Sequence, residues 1–203
     1  MKSFFVVTLF CFVAAGTASN AQQRLTPVDQ LPEGRRISGW LIDQVSYPRR
    51  IDAEGAALAR SFGSRGAQSI SAAPSSLEYL AGRDSNTVQY GRAFLKVDRG
   101  GPLTFVVTGD IIDSTVPFTS CEFILRLAGQ DILRTQINSR GPGGRERGGP
   151  GVGNAVPDPG YYRLEYVISC PYVTRARYTI AVRGETDASP RSFAQSELFH
   201  VAP

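Results

Sequence analysis

The chain has 203 residues, 42% of them hydrophobic and 20% charged, which is the composition of a globular protein. Its 22 lysines and arginines against 18 aspartates and glutamates leave a net charge of +4, too mild an excess to indicate a nucleic-acid-binding protein. A chain of this length is long enough for one domain with a proper hydrophobic core.

The N-terminal segment, residues 1–21, has the pattern of a secretory signal peptide. Lys2 precedes the apolar run Phe4–Ala15, and small residues follow as far as Ala21. We expect cleavage after Ala21, with a cut after Ala18 as the alternative. The apolar run is shorter than the roughly 20 residues of a membrane-spanning helix, and no later segment is long and apolar enough to be one. We therefore predict an exported protein without a transmembrane segment.

After the signal peptide, the sequence predicts a flexible lead-in over residues 22–38 and one domain over residues 39–203. The lead-in is polar and carries Pro27 and Pro32, so we expect weak order there. The domain opens with a candidate strand around Trp40, a type of side chain that more often belongs to a core than to a ligand site. The core is therefore expected to include this tryptophan.

Two contrasting segments follow the first candidate strand. Residues 52–62 predict one short helix, because helix-forming alanines and a leucine follow Asp52, whose carboxylate can accept hydrogen bonds as an N-cap. The glycines after residue 62 limit its length. Residues 67–86 are rich in serine and small side chains, and they predict a long loop with one short strand.

The clearest strand signal lies between Tyr90 and Asp110. Residues alternate between two faces before a Gly-Gly-Pro turn and alternate again after it, which is the period of half-buried strands. Four further segments predict strands: Cys121–Ala128, Asp131–Ile137, Tyr161–Ser169 and Arg177–Val182. About seven strands in all predict an all-β fold, an antiparallel, jelly-roll-like β-sandwich with one short helix and a long Gly/Pro-rich loop.

Two cysteines, Cys121 and Cys170, remain after signal-peptide cleavage, and an exported chain folds in an oxidising compartment. Each lies in phase with the apolar positions of its strand, over residues 123–127 and 162–168. We predict a single disulfide that pins the two layers together and stabilises the fold by about 3 to 4 kcal/mol on the chain-entropy model. These cysteines and the only histidine are too few for a zinc site.

Residues 139–160 are dense in glycine and proline, and they predict a disordered or mobile loop. Arg140, Arg145 and Arg147 lie in this loop with glycines around them. A flexible surface insertion is the simplest interpretation. A binding loop is the alternative, because long loops on rigid scaffolds often carry contacts. RNA-binding segments have similar Arg-Gly runs, but they do not suit an exported protein.

Several motifs together resemble the protective-antigen-type domain, a β-sandwich of bacterial toxins, glycosidases and adhesins. The match begins at VQYGRAFLKVDRGGPLTFVVTGD, continues in EFILRLAGQDIL and GYYRLEYVIS, and ends in SELFHVAP. It spans the chain from Gly39 onwards. The pattern also resembles the prepeptidase C-terminal domain, another secreted sandwich. Both resemblances imply a secreted β-sandwich.

The first resemblance also implies a candidate ligand or calcium loop. Members of that family that bind sugar hold calcium with adjacent aspartates, whereas this chain has Asp110 and Asp113 separated by two isoleucines. Calcium takes about six to eight oxygen ligands, so these two carboxylates alone would not complete a site. A solvated turn is the alternative. We predict that the chain holds no cofactor, with calcium as the alternative.

The sequence shows no catalytic constellation. A Ser-His-Asp or Cys-His arrangement would depend on His200, which lies three residues from the end of the sequence. Gly100 and Gly101 lack the Gly-Lys-Ser pattern of a phosphate loop. We therefore predict that the chain is not an enzyme. A small secreted hydrolase with two converging carboxylates is the remaining catalytic alternative.

The leading functional hypothesis is an exported bacterial recognition or adhesion module that binds a glycan or a cell-surface protein. It rests on the signal peptide, the strand pattern and the resemblance. A structural subunit of a cell-surface or periplasmic assembly, with self-assembly, is the alternative, because exposed tyrosines near the C-terminal strands would suit an interface. The exposed tyrosines would be a subset of a cluster of five, most of which we expect in the core or at its rim: Tyr161, Tyr162, Tyr166, Tyr172 and Tyr178.

Overall fold

The computed structural model describes residues 25–47, 49–56, 68–73, 77–81, 86–117, 119–138 and 150–202. The predicted signal peptide, the second half of the predicted helix and the three loop arginines, Arg140, Arg145 and Arg147, lie outside the described residues. Within them the chain forms two antiparallel β-sheets and one helical turn at residues 53–56. The prediction of an all-β sandwich with a short helix is therefore confirmed. No helix in the described part of the chain has the length and apolar character to cross a bilayer.

The described residues contain twelve strands, more than the seven predicted. They are β1 Arg36–Ser38, β2 Trp40–Tyr47, β3 Gln68–Ala72, β4 Leu77–Leu80, β5 Asn86–Val97, β6 Leu103–Ser114, β7 Ser120–Leu127, β8 Gln130–Asn138, β9 Gly151–Ala155, β10 Gly160–Ser169, β11 Val173–Arg183 and β12 Leu198–Val201. The larger sheet has the order β1-β12-β5-β10-β7-β8, and the smaller sheet has the order β4-β11-β6-β9. β2 shares one edge of β5 with β12 and carries β3 on its other side.

The two strands of the central predicted segment, β5 and β6, lie in different sheets. The Gly-Gly-Pro turn between them therefore carries the chain across the sandwich. β7 and β8, in contrast, pair directly as a hairpin. Its turn residues Ala128 and Gly129 have φ angles of 52° and 81°, the left-handed conformation that suits a tight turn between paired strands.

The core lies between the sheets and is rich in aromatic side chains. Trp40 is fully buried, as expected, and its ring lies edge-on to that of Tyr166 with the centroids 5.0 Å apart. The Tyr178 hydroxyl, from the smaller sheet, lies 2.9 Å from the Tyr166 hydroxyl of the larger sheet. Gly91 lies opposite Tyr166 in the β5–β10 register, where a Cβ would overlap the ring. A glycine is therefore needed where the core ring covers the strand.

The predicted disulfide between Cys121 and Cys170 is confirmed, and both cysteines are buried. Their Cα atoms lie 4.1 Å apart. Glu122 pairs with Ser169 in the register of β7 and β10, so the cysteines lie opposite each other beside that pair. The bond joins neighbouring strands of the larger sheet. It does not join the two layers, which was the expected role.

The chain before the first predicted strand differs from a flexible lead-in over residues 22–38. Leu25 is buried in the core, and the Val28 N–H donates to the Tyr161 carbonyl at 2.7 Å. The last three residues of this segment form β1, which pairs with β12. The Leu25 side chain and these backbone hydrogen bonds help to hold the described part of the segment against the sandwich, and neither leaves a periodic signal in the sequence.

Two other segments predicted as loops contribute strands. Residues 67–86 contain β3 and β4, one strand more than expected, and residues 139–160 contain β9. Gly151 and Gly153 of β9 approach β8 so closely that a Cβ at either position would overlap atoms of β8. The glycines that favoured a loop therefore allow the edge strands of the two sheets to come together.

Candidate functional site

The outer face of the larger sheet is divided into two halves. In the first, here called the covered half, apolar side chains lie under the helical turn at residues 53–56. They are Val88, Tyr90, Ile124 and Val167, and all four are buried. With the alanines of the helical turn they form a second, smaller core outside the sandwich.

Three hydrogen bonds fix the covering segment on the sheet. They join Tyr90 OH to the Ala56 carbonyl at 2.7 Å, Ser169 Oγ to the Ile51 carbonyl at 2.5 Å, and the Ala53 N–H to Glu122 Oε2 at 3.0 Å. Each bond ties a side chain of the sheet to the backbone of the covering segment. The segment is therefore held by specific polar contacts as well as by apolar burial.

The second half, here called the open half, has no such cover among the described residues. Its side chains are charged or aromatic: Arg92, Phe94 and Lys96 of β5, and Tyr161, Arg163 and Glu165 of β10. The register places Lys96 opposite Tyr161, Phe94 opposite Arg163, and Arg92 opposite Glu165. Alternate residues of a strand point to the same face and lie about 7 Å apart, so these pairs form three successive rows on one surface.

A groove of about 560 Å³ crosses the open half. Its walls include Glu33, Arg92, Phe94, Arg163, Glu165 and Val201. Phe94 is half-buried and provides an apolar surface, whereas Arg92 and Arg163 are exposed. An ion pair with Asp43, with an N–O distance of 3.2 Å, directs the Arg92 guanidinium. The volume lies within the range of small-molecule sites, about 300 to 1,000 Å³.

A second hollow, of about 470 Å³, lies at the other end of the open half. We call it the basic hollow and define it by Arg36, Lys96, Tyr161 and Phe199. Phe199 stacks on Phe94, a wall residue of the groove, with the ring centroids 5.9 Å apart. The Arg36 guanidinium carbon lies 5.1 Å from the Phe199 centroid and 5.6 Å from the Tyr161 centroid, which is within cation–π range. The groove and the basic hollow therefore share one aromatic cluster.

The basic hollow keeps its positive charge at neutral pH. Lys96 Nζ lies 2.7 Å from Asp98 Oδ1, and this hydrogen bond is the main reason why the pKa of Lys96 is raised. The nearby Arg36 guanidinium opposes the shift of the Lys96 pKa but does not reverse it. The Lys96 side chain is therefore a cation under physiological conditions.

The structure places Asp110 and Asp113 in strand β6 and not in a loop. Asp110 lies opposite Arg177 and Asp113 opposite Arg175 on β11. Asp113 Oδ2 also accepts a hydrogen bond from the Thr174 hydroxyl at 2.6 Å. The prediction of a loop was wrong because pairing with β11, with opposite charges at facing positions, continues the strand through this segment.

This position does not fit a calcium cage built by the two aspartates. In the described part of the chain, no group of three or more histidine, cysteine, aspartate or glutamate residues is placed to hold a metal ion. Asp110 and Asp113 lie along an extended strand opposite arginines, whereas calcium needs about six to eight converging oxygens. The calcium site stays a prediction, and it would depend on oxygens from other residues.

His200 and most of the clustered tyrosines are buried and contribute to the fold. His200 is buried, with its ring nitrogens 3.2 Å from Ser71 Oγ and 3.3 Å from the Gly39 carbonyl. Of the five clustered tyrosines, three belong to the core: Tyr162, Tyr166 and Tyr178. Tyr172 is 52% exposed, and Tyr161 is half-buried in the basic hollow. The tyrosine cluster is therefore mainly part of the interior.

Sequence reasoning missed the open half as a site. The available signal was Phe94, a large aromatic residue at an outward-facing position of β5, in phase with Lys96. The alternation within β5 does not predict its register with β10, and this register places Arg163 and Glu165 beside Phe94 and Lys96. That register joins segments about 70 residues apart and depends on the whole sheet.

No protein-family model matches the sequence, and no curated protein matches it. Among solved structures, the PA14 domain of the MpAFP antifreeze protein is similar with a TM-score of 0.55 and 9% identity, covering 86% of this chain and 96% of that one. The epithelial adhesin 6 A domain from Candida glabrata, in complex with Galb1-3GlcNAc, has a TM-score of 0.51 and 10% identity, with 87% and 92% covered. The epithelial adhesin 9 A domain from the same organism, in complex with Galb1-4GlcNAc, has a TM-score of 0.53 and 9% identity, with 88% and 95% covered. At these identities the likeness shows a shared fold.

Proposed function

We propose that this chain is an exported, non-catalytic recognition module that binds a glycan in the groove of the open half. The observation that carries the proposal is the combination of groups in the groove. Phe94 offers an apolar surface, Arg92 and Arg163 carry hydrogen-bond donors, and Glu165 carries acceptors. A sugar ring has apolar C–H faces and hydroxyls that both donate and accept, so this mixture suits it.

The two polar side chains of β10 are available for such a ligand. Among the described residues, neither the Arg163 nor the Glu165 side chain has a hydrogen-bond or ion-pair partner. Binding would therefore not have to break an internal interaction of these groups. Arg92 is already directed by Asp43, which reduces the conformational entropy lost when a ligand binds.

The fold and the chemistry of the chain support the proposal in two further ways. The similar adhesin domains were solved in complex with Galb1-3GlcNAc and Galb1-4GlcNAc, so the shared fold is compatible with sugar binding. The predicted signal peptide over residues 1–21 and the disulfide between Cys121 and Cys170 suit an extracellular or cell-surface location.

A glycan array probed with the purified exported chain tests the proposal. Phe94→Ala removes the aromatic wall of the groove, and Tyr172→Ala is the matched control, since Tyr172 is an exposed aromatic residue outside it. We expect the wild-type chain to bind, Phe94→Ala to bind about tenfold more weakly, and Tyr172→Ala to bind as the wild type does.

Each array is run with calcium and with a chelator. Glycan binding that is unchanged by the chelator supports the groove as the binding site. No glycan binding at all, or equal binding by Phe94→Ala and the wild type, contradicts the proposal. Binding that requires calcium and is lost in Asp113→Asn would place the site at the Asp110–Asp113 segment of β6. Pull-down from envelope material covers the other ligand class, a surface protein.

A further inference from the structure

The basic hollow brings two cations from different strands to one end of the open half. Arg36 comes from β1 and Lys96 from β5, and both line a cavity of about 470 Å³ together with Tyr161, Gln195, Ser196 and Phe199. The two charges are close enough for Arg36 to lower the pKa of Lys96, although the net shift is upward. Two like charges near each other favour an anion between them, because the anion removes their repulsion.

Arg36 is held in place by rings. Its guanidinium lies over Phe199 and Tyr161, whose own ring centroids are 6.0 Å apart. A guanidinium held by its face keeps its edge N–H groups available, and these form the planar fork that matches a carboxylate or sulfate group. No carboxylate in the described part of the chain forms an ion pair with Arg36.

Lys96 retains hydrogen-bonding capacity beyond its existing partner. Its ammonium group has three donors, and Asp98 is bonded to it at 2.7 Å. The Asp98 side chain is 69% exposed, so the pair is solvated and leaves room for a second acceptor. Among the described residues that line the hollow, the charged ones are Arg36 and Lys96, so the lining is positive even with Asp98 bonded to Lys96.

The basic hollow lies next to the groove. The Lys96–Tyr161 row is followed by the Phe94–Arg163 row, about 7 Å further along the strands. The stacked rings of Phe94 and Phe199 connect the two cavities. One ligand can therefore place a neutral part against Phe94 and a charged part between Arg36 and Lys96.

From this arrangement we infer that the ligand is an acidic glycan, whose carboxylate or sulfate group binds in the basic hollow while a neighbouring sugar lies in the groove. The inference rests on the proposed function and adds the chemical class of the substrate. The edge of the Arg36 guanidinium donates to the anion, and Lys96 supplies a second charge-assisted hydrogen bond. The Tyr161, Gln195 and Ser196 side chains line the same cavity and are polar.

Binding of three matched sets of oligosaccharides tests the inference: neutral, uronate-bearing and sulfated. The variants are Arg36→Gln and Lys96→Gln, with Arg183→Gln as the control because Arg183 is an exposed arginine of the smaller sheet. We expect acidic sugars to bind more tightly than neutral ones and each hollow variant to lose about tenfold in affinity for them. The control is expected to bind as the wild type does. Circular dichroism confirms that each variant is folded.

The outcomes separate this inference from the proposed function. If neutral and acidic sugars bind equally, with loss in Phe94→Ala but not in Arg36→Gln, the inference is wrong and the proposed function stands. If no sugar of any set binds, both are wrong. If a polyglutamate peptide binds as tightly as the acidic sugars, the hollow recognises charge alone, and the assignment to a glycan is overturned. A difference between the uronate and sulfate arms identifies which anion the hollow prefers.

Discussion

The covered half and the open half belong to the same face of the same sheet, yet they have opposite surroundings. β5 contributes Val88 and Tyr90 to the covered half and Arg92, Phe94 and Lys96 to the open half. The first pair needs an apolar cover, which the segment Ile51–Ala56 provides. The other residues carry charges or a ring at a cavity wall, and the described chain leaves them open. The comparison shows that the sequence of β5 determines which part of this face is covered and which part is open.

β10 changes character along its length in the same way. Val167 lies under the covering segment, whereas Arg163 and Glu165 face the groove. Because the two strands are antiparallel and paired over ten positions, the change occurs at the same level on both. One strand alone would give a polar spot, whereas the pair gives a surface wide enough for a ligand.

The largest expected effect comes from replacing a buried aromatic residue of the covered half by alanine, and the same exchange in the open half is the comparison. Tyr90→Ala removes a buried ring and the hydrogen bond to Ala56, so we expect the free energy of unfolding to fall by about 3 to 5 kcal/mol. Phe94→Ala, in the open half, is expected to cost about 1 kcal/mol, because its ring is only half-buried. Urea unfolding measures both. Equal losses would show that Phe94 is structural and would contradict the comparison.

The second effect concerns the disulfide, which lies beside the Glu122–Ser169 pair that anchors the covering segment. Replacing Cys121 and Cys170 by alanine is expected to lower the free energy of unfolding by about 3 to 4 kcal/mol. The rate of amide hydrogen exchange should then rise more at Ala53 and Ala56 than at Phe94. The reason is that loss of the disulfide loosens the ends of β7 and β10 that lie in the covered half. A uniform rise over the whole larger sheet would count against this assignment. The wild-type chain without reductant is the reference.

The same features show which parts of the fold and of the site could be predicted from the sequence. The alternation in β5 was sufficient to predict this strand, and the phase of Cys121 and Cys170 was sufficient to predict the disulfide. β9 was not predictable in this way, because Gly151 and Gly153 have no side chains to alternate and are needed for the close contact with β8. The role of Phe94 depends on partners from β10 and β12, and pairing between distant strands is not written in local periodicity.

The smallest expected effect is a pH dependence at the border of the open half. The Glu197 carboxylate accepts from Arg191 at 2.7 Å and from the Ala194 N–H at 2.7 Å, in the turn that carries Gln195 and Ser196. The hydrogen bonds from Arg191 are the main reason why the pKa of Glu197 is lowered. The stability from this group is therefore present above the ordinary pKa of a glutamate, and it is lost as the pH falls through the lower pKa of the folded state.

Urea unfolding of wild type and Glu197→Gln at about pH 7 and about pH 3 measures this dependence. Because the group is partly exposed, the difference between the two chains at neutral pH should be below about 1 kcal/mol, and it should shrink in acid. Glu185→Gln, an exchange of an exposed glutamate, is the control. A difference that is the same at both pH values would show that the carboxylate charge does not hold this turn.

The proposal that the open half is the ligand surface can be tested directly by nuclear magnetic resonance. An acidic oligosaccharide is added to the protein, and the changes in backbone amide chemical shifts are mapped onto the structure. We expect the shifts to cluster at residues 92–96 and 161–165, with Arg36 and Phe199 beside them. Shifts that cluster instead at Asp110, Asp113 and Tyr172, or at the covering segment, would contradict it.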